Sequence, residues 1–269
     1  MGPNQVDEHT FTLDATGPIF YRSAPAAGTP PLYLHGIPTS SDDWIACLER
    51  TGGLAPDLIG FGRSSKGGHL DYSPCGLSSF VERLLDELGV QQVSLVAHQW
   101  GAVVGALLAA RQPERVERIT LLNPLPLIAG FRWQPIARWW LRPLVGELIM
   151  GSTTKGILSR TLRRGTLNPE AWTPERLAAV WEQFDQGTQR AILRLHRGTP
   201  EAALEGVLSE LRMPVSVIWG DRDPWLAPEL GDAYAARFDA GTIEHLEAGH
   251  WPWLDRPELV DRIAQLAAP

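Results

Sequence analysis

Residues 97–101 read Ala-His-Gln-Trp-Gly, and they join a buried strand to a helix of small residues. The preceding residues, 93–97, are apolar enough to predict the strand, and residues 101–106 predict a tightly packed helix. A tight turn in this context directs its central side chain toward a site and leaves the next backbone N–H free to bind an anion. We therefore expect Gln99 to face a functional site, with the N–H of Trp100 beside it. The alternative is a turn without chemistry.

Strand and helix signals alternate on both sides of this turn. The pattern predicts a hairpin around residues 11–21, strands at 31–34, 54–59, 93–97, 119–122, 215–219 and 242–246, and helices at 77–88, 101–106 and 258–266. Such alternation is typical of a mostly parallel sheet, here eight-stranded, flanked by helices on both faces. Residues 126–205 are instead helical, Trp-rich and Arg-rich. We interpret them as a helical cap, or lid, inserted between core segments 1–125 and 206–269.

Three further motifs follow predicted strands, so they should meet Gln99 at the carboxyl edge of the sheet. His35-Gly36-Ile37-Pro38-Thr39 lies where a second anion-binding N–H originates in such sites, and Ile37 would donate it. Gly220-Asp221-Arg222-Asp223 supplies an acid, and Ala248-Gly249-His250 supplies a base. The order along the chain is nucleophile position, acid, histidine.

Asp223 is the preferred acid, because it lies further into its loop than Asp221 and could orient the imidazole of His250. Asp221 is expected to accept hydrogen bonds from turn N–H groups. A structural role for His250 is the alternative. His196 and the arginines of the lid are expected to be solvated surface without a role in the site.

The motifs at residues 35–41, 55–62 and 97–101 resemble the signatures of haloalkane dehalogenases of the α/β-hydrolase superfamily, and their arrangement is similar to epoxide hydrolases. The resemblance is close over residues of about 30–125 and resumes near Asp223 and His250. It implies the α/β-hydrolase fold, an oxyanion hole or substrate contact at His35, Gly36, Ile37 and Trp100, and catalysis by Gln99, Asp223 and His250. It also implies that Trp100 could contact a departing halide.

Two positions depart from the dehalogenase pattern. The resemblance implies an attacking aspartate where this chain has Gln99, and a neutral amide cannot form the alkyl ester by ordinary nucleophilic attack. It also implies, in many dehalogenases, an asparagine where this chain has Ile37, whose side chain cannot hydrogen-bond a halide. Epoxide hydrolases usually carry lid tyrosines, whereas the four tyrosines here lie outside the lid.

The remaining groups favour general-base chemistry without a covalent ester. His250, oriented by Asp223, would take a proton from water or substrate while Gln99 orients the reacting group, which permits hydrolysis, elimination or intramolecular cyclisation. The lid tryptophans favour a small hydrophobic or aromatic substrate, although they could equally pack the lid on the core; they are Trp133, Trp139, Trp140, Trp172 and Trp181. The alternatives are a catalytically inactive binding protein and an enzyme whose nucleophile has been altered.

Composition excludes several other classes. The net charge of −7 comes without a basic stripe, which argues against nucleic-acid partners. No apolar run suggests a membrane span and no targeting segment is visible, so a cytoplasmic protein is expected. Cys47 and Cys75 are too few for a disulfide framework and are expected to be reduced, packed thiols. No cofactor or metal is expected, and the oligomeric state stays open, a homodimer being one option.

Overall fold

A twisted sheet positions every element that carries the motifs. The computed structural model describes residues 2–239 and 241–267. Within them the sheet has eight strands: β1 (Asp7–Leu13), β2 (Gly17–Ala24), β3 (Pro31–Leu34), β4 (Gly53–Pro56), β5 (Val93–His98), β6 (Val116–Leu122), β7 (Val215–Gly220) and β8 (Gly241–Leu246). Their spatial order is β1-β2-β4-β3-β5-β6-β7-β8, and β2 runs antiparallel to β1 and β4 while the remaining pairs are parallel. The predicted mostly parallel, eight-stranded sheet is confirmed.

Helices follow the strands in the predicted rhythm. They are α1 (Ile45–Thr51), α2 (Pro74–Glu87), α3 (Trp100–Arg111), α4 (Pro135–Trp140), α5 (Val145–Gly151), α6 (Lys155–Arg164), α7 (Pro174–Gln183), α8 (Gln186–Arg197), α9 (Pro228–Ala235), α10 (Pro252–Asp255) and α11 (Leu259–Ala267). In the part of the chain that the structure describes, no helix is both long and apolar enough to span a bilayer.

Strand β5 and helix α3 form the centre of the molecule. All six residues of β5 are buried, as expected for a strand covered on both faces. Glycines allow α3 to approach the sheet closely, because a Cβ at Gly101 would lie 2.4 Å from the carbonyl oxygen of Leu34 and one at Gly105 would lie 2.5 Å from Leu95 Cδ2. The helix therefore needs small residues to pack this close to the sheet, and this close packing positions the turn that holds Gln99.

Five helices, α4 to α8, occupy the chain between β6 and β7, and no strand occurs among the described residues there. Side chains of Thr154, Thr173 and Asp185 cap α6, α7 and α8 by accepting hydrogen bonds from backbone N–H groups in the first turn. The helical character predicted for this segment is observed, and its boundaries at residues 126 and 205 stay a prediction.

Two local predictions were wrong. The strand predicted at residues 54–59 ends at Pro56, because the carboxylate of Asp57 accepts hydrogen bonds from the N–H groups of Ser41 and Arg63 and holds the following residues in a loop. Both cysteines are free thiols, and Cys47 is buried, but Cys75 is exposed in the first turn of α2 rather than packed.

Candidate active site

Gln99 lies in the turn between β5 and α3, with backbone angles φ 48° and ψ −110°. A positive φ is strained for a residue with a side chain, and it is the conformation that projects the side chain away from the strand. The carbonyl oxygen of Gln99 accepts from the N–H groups of Ala102 and Leu125, at 3.2 and 3.3 Å, which fixes the turn. The expected geometry of this turn is therefore present.

The side chain of Gln99 reaches the loop after β3. Its Oε1 accepts a hydrogen bond of 2.8 Å from the N–H of Ile37, so the amide oxygen occupies one of the two predicted anion-binding positions. Because Oε1 is thereby the acceptor, Nε2 is left to donate its two hydrogens toward a bound molecule. Gly36 makes this approach possible, since a Cβ there would lie 2.7 Å from both Gln99 Oε1 and His98 Nδ1.

His250 and Asp223 form a buried pair at the ends of β8 and β7. Nδ1 of His250 lies 2.5 Å from Oδ2 of Asp223, and the two side chains are 2% and 0% exposed. The carboxylate is fully engaged: Oδ2 also accepts from Asn123 Nδ2 at 2.8 Å, and Oδ1 accepts from the N–H groups of Trp225 and Leu226 at 2.8 and 3.2 Å. A carboxylate with four donors is an acceptor only, so the shared proton belongs to His250 Nδ1.

In the neutral ring, this tautomer makes Nε2 of His250 the acceptor. The atom is buried and has no hydrogen-bond partner among the described residues. The ring is enclosed by the edges of His98, Trp225 and Trp251, whose ring centroids lie 4.7–4.8 Å away. An imidazole held in one orientation, with one nitrogen that has no hydrogen-bond partner, is the arrangement that a general base needs.

Two further histidines hold backbone around the site. His35 Nε2 accepts from the N–H of Leu58 at 2.9 Å, so its Nδ1 carries the proton and donates to the carbonyl of Gly36 at 2.7 Å. His98 Nε2 donates to the carbonyl of His250 at 2.8 Å. Desolvation lowers the pKa of His35 and holds the pKa of His98 well below its usual range, so both rings are neutral.

Trp100 extends from the turn into the helical segment. Its ring stacks on Trp133 at 5.9 Å and meets the edge of His196 at 5.2 Å. The prediction that His196 is solvated was wrong, because three indoles bury it to 4% exposure: those of Trp100, Trp133 and Trp140. Burial lowers the pKa of His196 to about 4, and its Nδ1 lies 2.8 Å from the carbonyl of Ile192. A neutral ring thus offers Nε2 as an acceptor.

The other tryptophans of the lid differ in how deeply they are buried. Trp172 is buried and meets the edge of Trp251 at 5.0 Å, while Trp139 is 46% exposed beneath the guanidinium of Arg142. Trp140 and Trp181 are partly buried. Packing on the core therefore accounts for Trp133 and Trp172.

Asp221 does not accept from turn amides, contrary to expectation. Its Oδ1 lies 2.6 Å from Nδ1 of His245, whose Nε2 lies 3.1 Å from Asp232. The hydrogen bond with Asp221 raises the pKa of His245, an exposed side chain. The two aspartates of the motif thus bond different histidines, Asp221 at the surface and Asp223 in the interior.

Asn123, which sequence reasoning missed, ties the acid loop to β6. It is completely buried at φ 39°, donates to Asp223, and accepts from the N–H of Gly220 at 3.0 Å. Its position directly after a buried strand was the available signal, because asparagine tolerates positive φ and bonds nearby backbone.

Among residues 2–239 and 241–267, no cluster of three His, Cys, Asp or Glu side chains could hold a metal ion.

Comparisons with known proteins identify the family and the fold. The profile of the alpha/beta hydrolase family matches residues 32–263. A haloalkane dehalogenase from Mesorhizobium japonicum is 31% identical over 70% of the chain and 63% of its own length. Epoxide hydrolase 1 from Caenorhabditis elegans is 26% identical over 86% of the chain and 62% of its own length, so the chain spans about three fifths of each relative. A haloalkane dehalogenase structure from Bradyrhizobium elkani superposes with a TM-score of 0.83 at 25% identity, covering 97% of both chains.

Proposed function

Because this chain belongs to the alpha/beta hydrolase family and buries a His–Asp pair against His98, the residue before Gln99, we propose that it is an enzyme using His250 as general base. Its reaction is hydrolysis, elimination or cyclisation of a small hydrophobic or aromatic molecule, without an ester on residue 99. The observation that carries the proposal is the 2.5 Å bond between Asp223 and His250 Nδ1, which leaves Nε2 open.

Gln99 supports this assignment by its chemistry and its contacts. An uncharged amide, whose lone pairs are delocalised, does not form an ester by ordinary attack on carbon, so the driving base must be the imidazole. With Oε1 held by the N–H of Ile37, Nε2 donates to the substrate and can orient the atom that leaves or attacks. A substrate oxygen that displaces Oε1 would gain the Ile37 N–H and the N-terminus of α3 as an oxyanion hole.

The aromatic cluster beside Trp100 supports the substrate class. The exposed part of Trp133, about 5% of its surface, lines an open surface cavity of about 490 Å³ with Leu141, His196, Arg197 and Glu201; Gln99 and His250 are not among the lining residues. Large flat indole surfaces favour apolar and aromatic molecules, and the neutral His196 adds one hydrogen-bond acceptor.

The test measures product formation from 4-nitrophenyl acetate, styrene oxide and 1-chlorobutane. We expect turnover of an activated substrate, no chloride release, and a loss of about 10²–10⁴-fold in His250→Ala, with a loss in Asp223→Asn as well. His245→Ala and Asp221→Asn are matched controls at the exposed pair and should keep full turnover. Equal activity in His250→Ala and the unmutated chain would rule the proposal out.

A second candidate is a binding protein without turnover. The favouring observation is that Gln99 Oε1 already fills the Ile37 position of the anion site. In that case the unmutated chain forms no product at long times, and 2-naphthol binds His250→Ala as tightly as it binds the unmutated chain.

The third candidate is a dehalogenase or epoxide hydrolase whose nucleophile was altered. Gln99→Asp, alone and with Ile37→Asn, restores the carboxylate and the polar donor that the relatives' pattern implies. Gain of chloride release from 1-chlorobutane or 1-bromobutane would support this candidate, and absence of any gain would eliminate it.

A further inference from the structure

The hydroxyl of Thr39 lies between a carboxyl group and a backbone carbonyl of the site. Thr39 Oγ1 is 2.6 Å from Asp43 Oδ2 and 3.2 Å from the carbonyl oxygen of Gly36. A hydroxyl has one proton to donate, and a carbonyl oxygen can only accept. Both contacts are hydrogen bonds at once only when Asp43 is protonated and donates to Thr39, which then donates to Gly36.

The surroundings of Asp43 favour its protonated form. It lies on the 3-10 helix Ser41–Trp44, next to Asp42, and it faces Asp57 from the loop after β4 and Arg176 from α7. The pKa of Asp43 is raised to about 7, mainly by desolvation; the charges of Asp42 and Asp57 add to the rise, and the Thr39 bond and Arg176 oppose it.

The neighbouring carboxylates, by contrast, have cations of their own. Arg22 and Arg63 both bond Asp42, and Arg63 also bonds Asp57 at 3.3 Å. Thr39 is the one hydrogen-bond partner of the Asp43 carboxyl in the described part of the chain. Asp43 is therefore the carboxyl of the three that has no arginine bonded to it in the described residues.

The carbonyl of Gly36 and the N–H of Ile37 belong to one peptide group. The carbonyl oxygen accepts from His35 Nδ1 at 2.7 Å as well as from Thr39, and the N–H donates to Gln99 Oε1 at 2.8 Å. Hydrogen bonds in such a chain polarise one another, so a donor at the oxygen strengthens the N–H on the other side of the peptide.

We propose that Asp43 is a positioning residue that sets how strongly the Ile37 N–H donates, acting through Thr39 and the Gly36–Ile37 peptide group. With its proton in place, Asp43 donates to Thr39 and Thr39 donates to the carbonyl. When the proton leaves to solvent, the hydroxyl turns to the carboxylate, and the carbonyl loses one donor. The Ile37 N–H, which would bind an oxyanion, is then a weaker hydrogen-bond donor at alkaline pH than at acidic pH. Only the consequence for turnover rests on the proposed function.

The experiment follows two NMR signals of the ligand-free protein from acidic to alkaline pH: the backbone amide of Ile37 and the side-chain carboxyl carbon of Asp43. We expect both to titrate together with a midpoint near 7. In Thr39→Val the chemical shift of the Asp43 carboxyl carbon should still change with pH, while the shift of the Ile37 amide should no longer change with it. Thr39→Ser keeps a hydroxyl and should keep the coupling, which separates the relay from a general loss of structure.

Asp43→Asn provides the complementary test, because its carboxamide donates to Thr39 at every pH. In this variant the chemical shift of the Ile37 amide should stay at its low-pH value across the titration. Any turnover rate should no longer decline as the pH rises through neutrality. An Ile37 amide that does not titrate in the unmutated chain, or that titrates equally in Thr39→Val, would overturn the proposal. Since these measurements need no substrate, they give their answer even if the proposed catalysis by His250 fails.

Discussion

At the scale of single residues, the site depends on side chains that satisfy several backbone groups at once. Asn123 is the strongest case, because its amide bonds both Asp223 Oδ2 and the N–H of Gly220 inside a fully buried space. The sequence predicts the acid and the base through their loops. It does not predict this link, since an asparagine after a strand looks like any turn residue until the loops are brought together.

Asn123→Ala should therefore lower both stability and activity. Two buried partners lose their hydrogen bonds, which costs about 1–3 kcal/mol of unfolding free energy for each unsatisfied group. Asp223 also loses a donor that orients it, so turnover should fall. Urea unfolding and steady-state kinetics measure the two effects. Asn168→Ala, at a position where the side chain makes no cap bond, is the control and should leave both unchanged; equal stability in the two variants would contradict the assigned role.

The residue-level predictions were most accurate where a motif fixes the backbone. The turn at Gln99 and the loop at Ile37 could be recognised from glycines and from their place after strands, and the structure brings the two side by side. The burial of His196 was not recognised, because its three indole neighbours are distant in sequence. The nearest, Trp140, is 56 residues before His196, and the farthest, Trp100, is 96 residues before it. Such contacts depend on how helices dock, which the periodicity of one helix does not encode.

At the scale of elements, the end of α6 supports the loop that carries His250. The N–H of His250 donates to the carbonyl of Gly165 at 2.6 Å, at the residue where α6 ends. A Cβ at Gly165 would lie 2.4 Å from Trp251 Cζ3 and 2.8 Å from two atoms of the Trp225 ring. The contact between α6 and the loop that carries His250 therefore requires glycine at position 165.

Gly165→Ala should push α6 away from the base loop, with a destabilisation of about 1–3 kcal/mol from overpacking and a fall in turnover. Gly156→Ala in the same helix is the matched control, because its Cβ would meet only Thr154 Oγ1 at 3.9 Å. Replacing a glycine by alanine where the backbone angles suit alanine stabilises by roughly 0.4–1 kcal/mol, so the control in the first turn of α6 should gain stability. Thermal unfolding compares the two, and a shift of the same sign in both would refute this account of the contact.

At the scale of the whole molecule, the alternation of strand and helix signals predicts a mostly parallel sheet of eight strands, and the structure has that sheet. The order of the strands in space was not predicted. The end of β4 could not be predicted, because the carboxylate of Asp57 stops the strand through bonds to Ser41 and Arg63 rather than through a turn signal. The pattern of buried residues thus determines the architecture, while individual polar contacts determine where each element ends.

Global stability should depend on pH through the exposed pair of His245 and Asp221. The folded state raises the pKa of His245, so the pair's contribution is fully present below about 6.5 and is lost as pH rises through the raised value. Because the side chains are exposed, the effect should stay below about 1 kcal/mol. Urea unfolding of the unmutated chain and of Asp221→Asn should differ at acidic pH and converge at alkaline pH; a gap that widens with pH would contradict this sign.

The most direct measurement of the central claim is a single turnover of styrene oxide in H₂¹⁸O with enzyme in excess, because opening of the epoxide at carbon takes its oxygen either from water or from residue 99. If His250 activates water and residue 99 forms no ester, the first product carries ¹⁸O and the peptide containing Gln99 keeps its mass. Product with unlabelled oxygen, or a substrate adduct on Gln99 detected by mass spectrometry, would contradict the account.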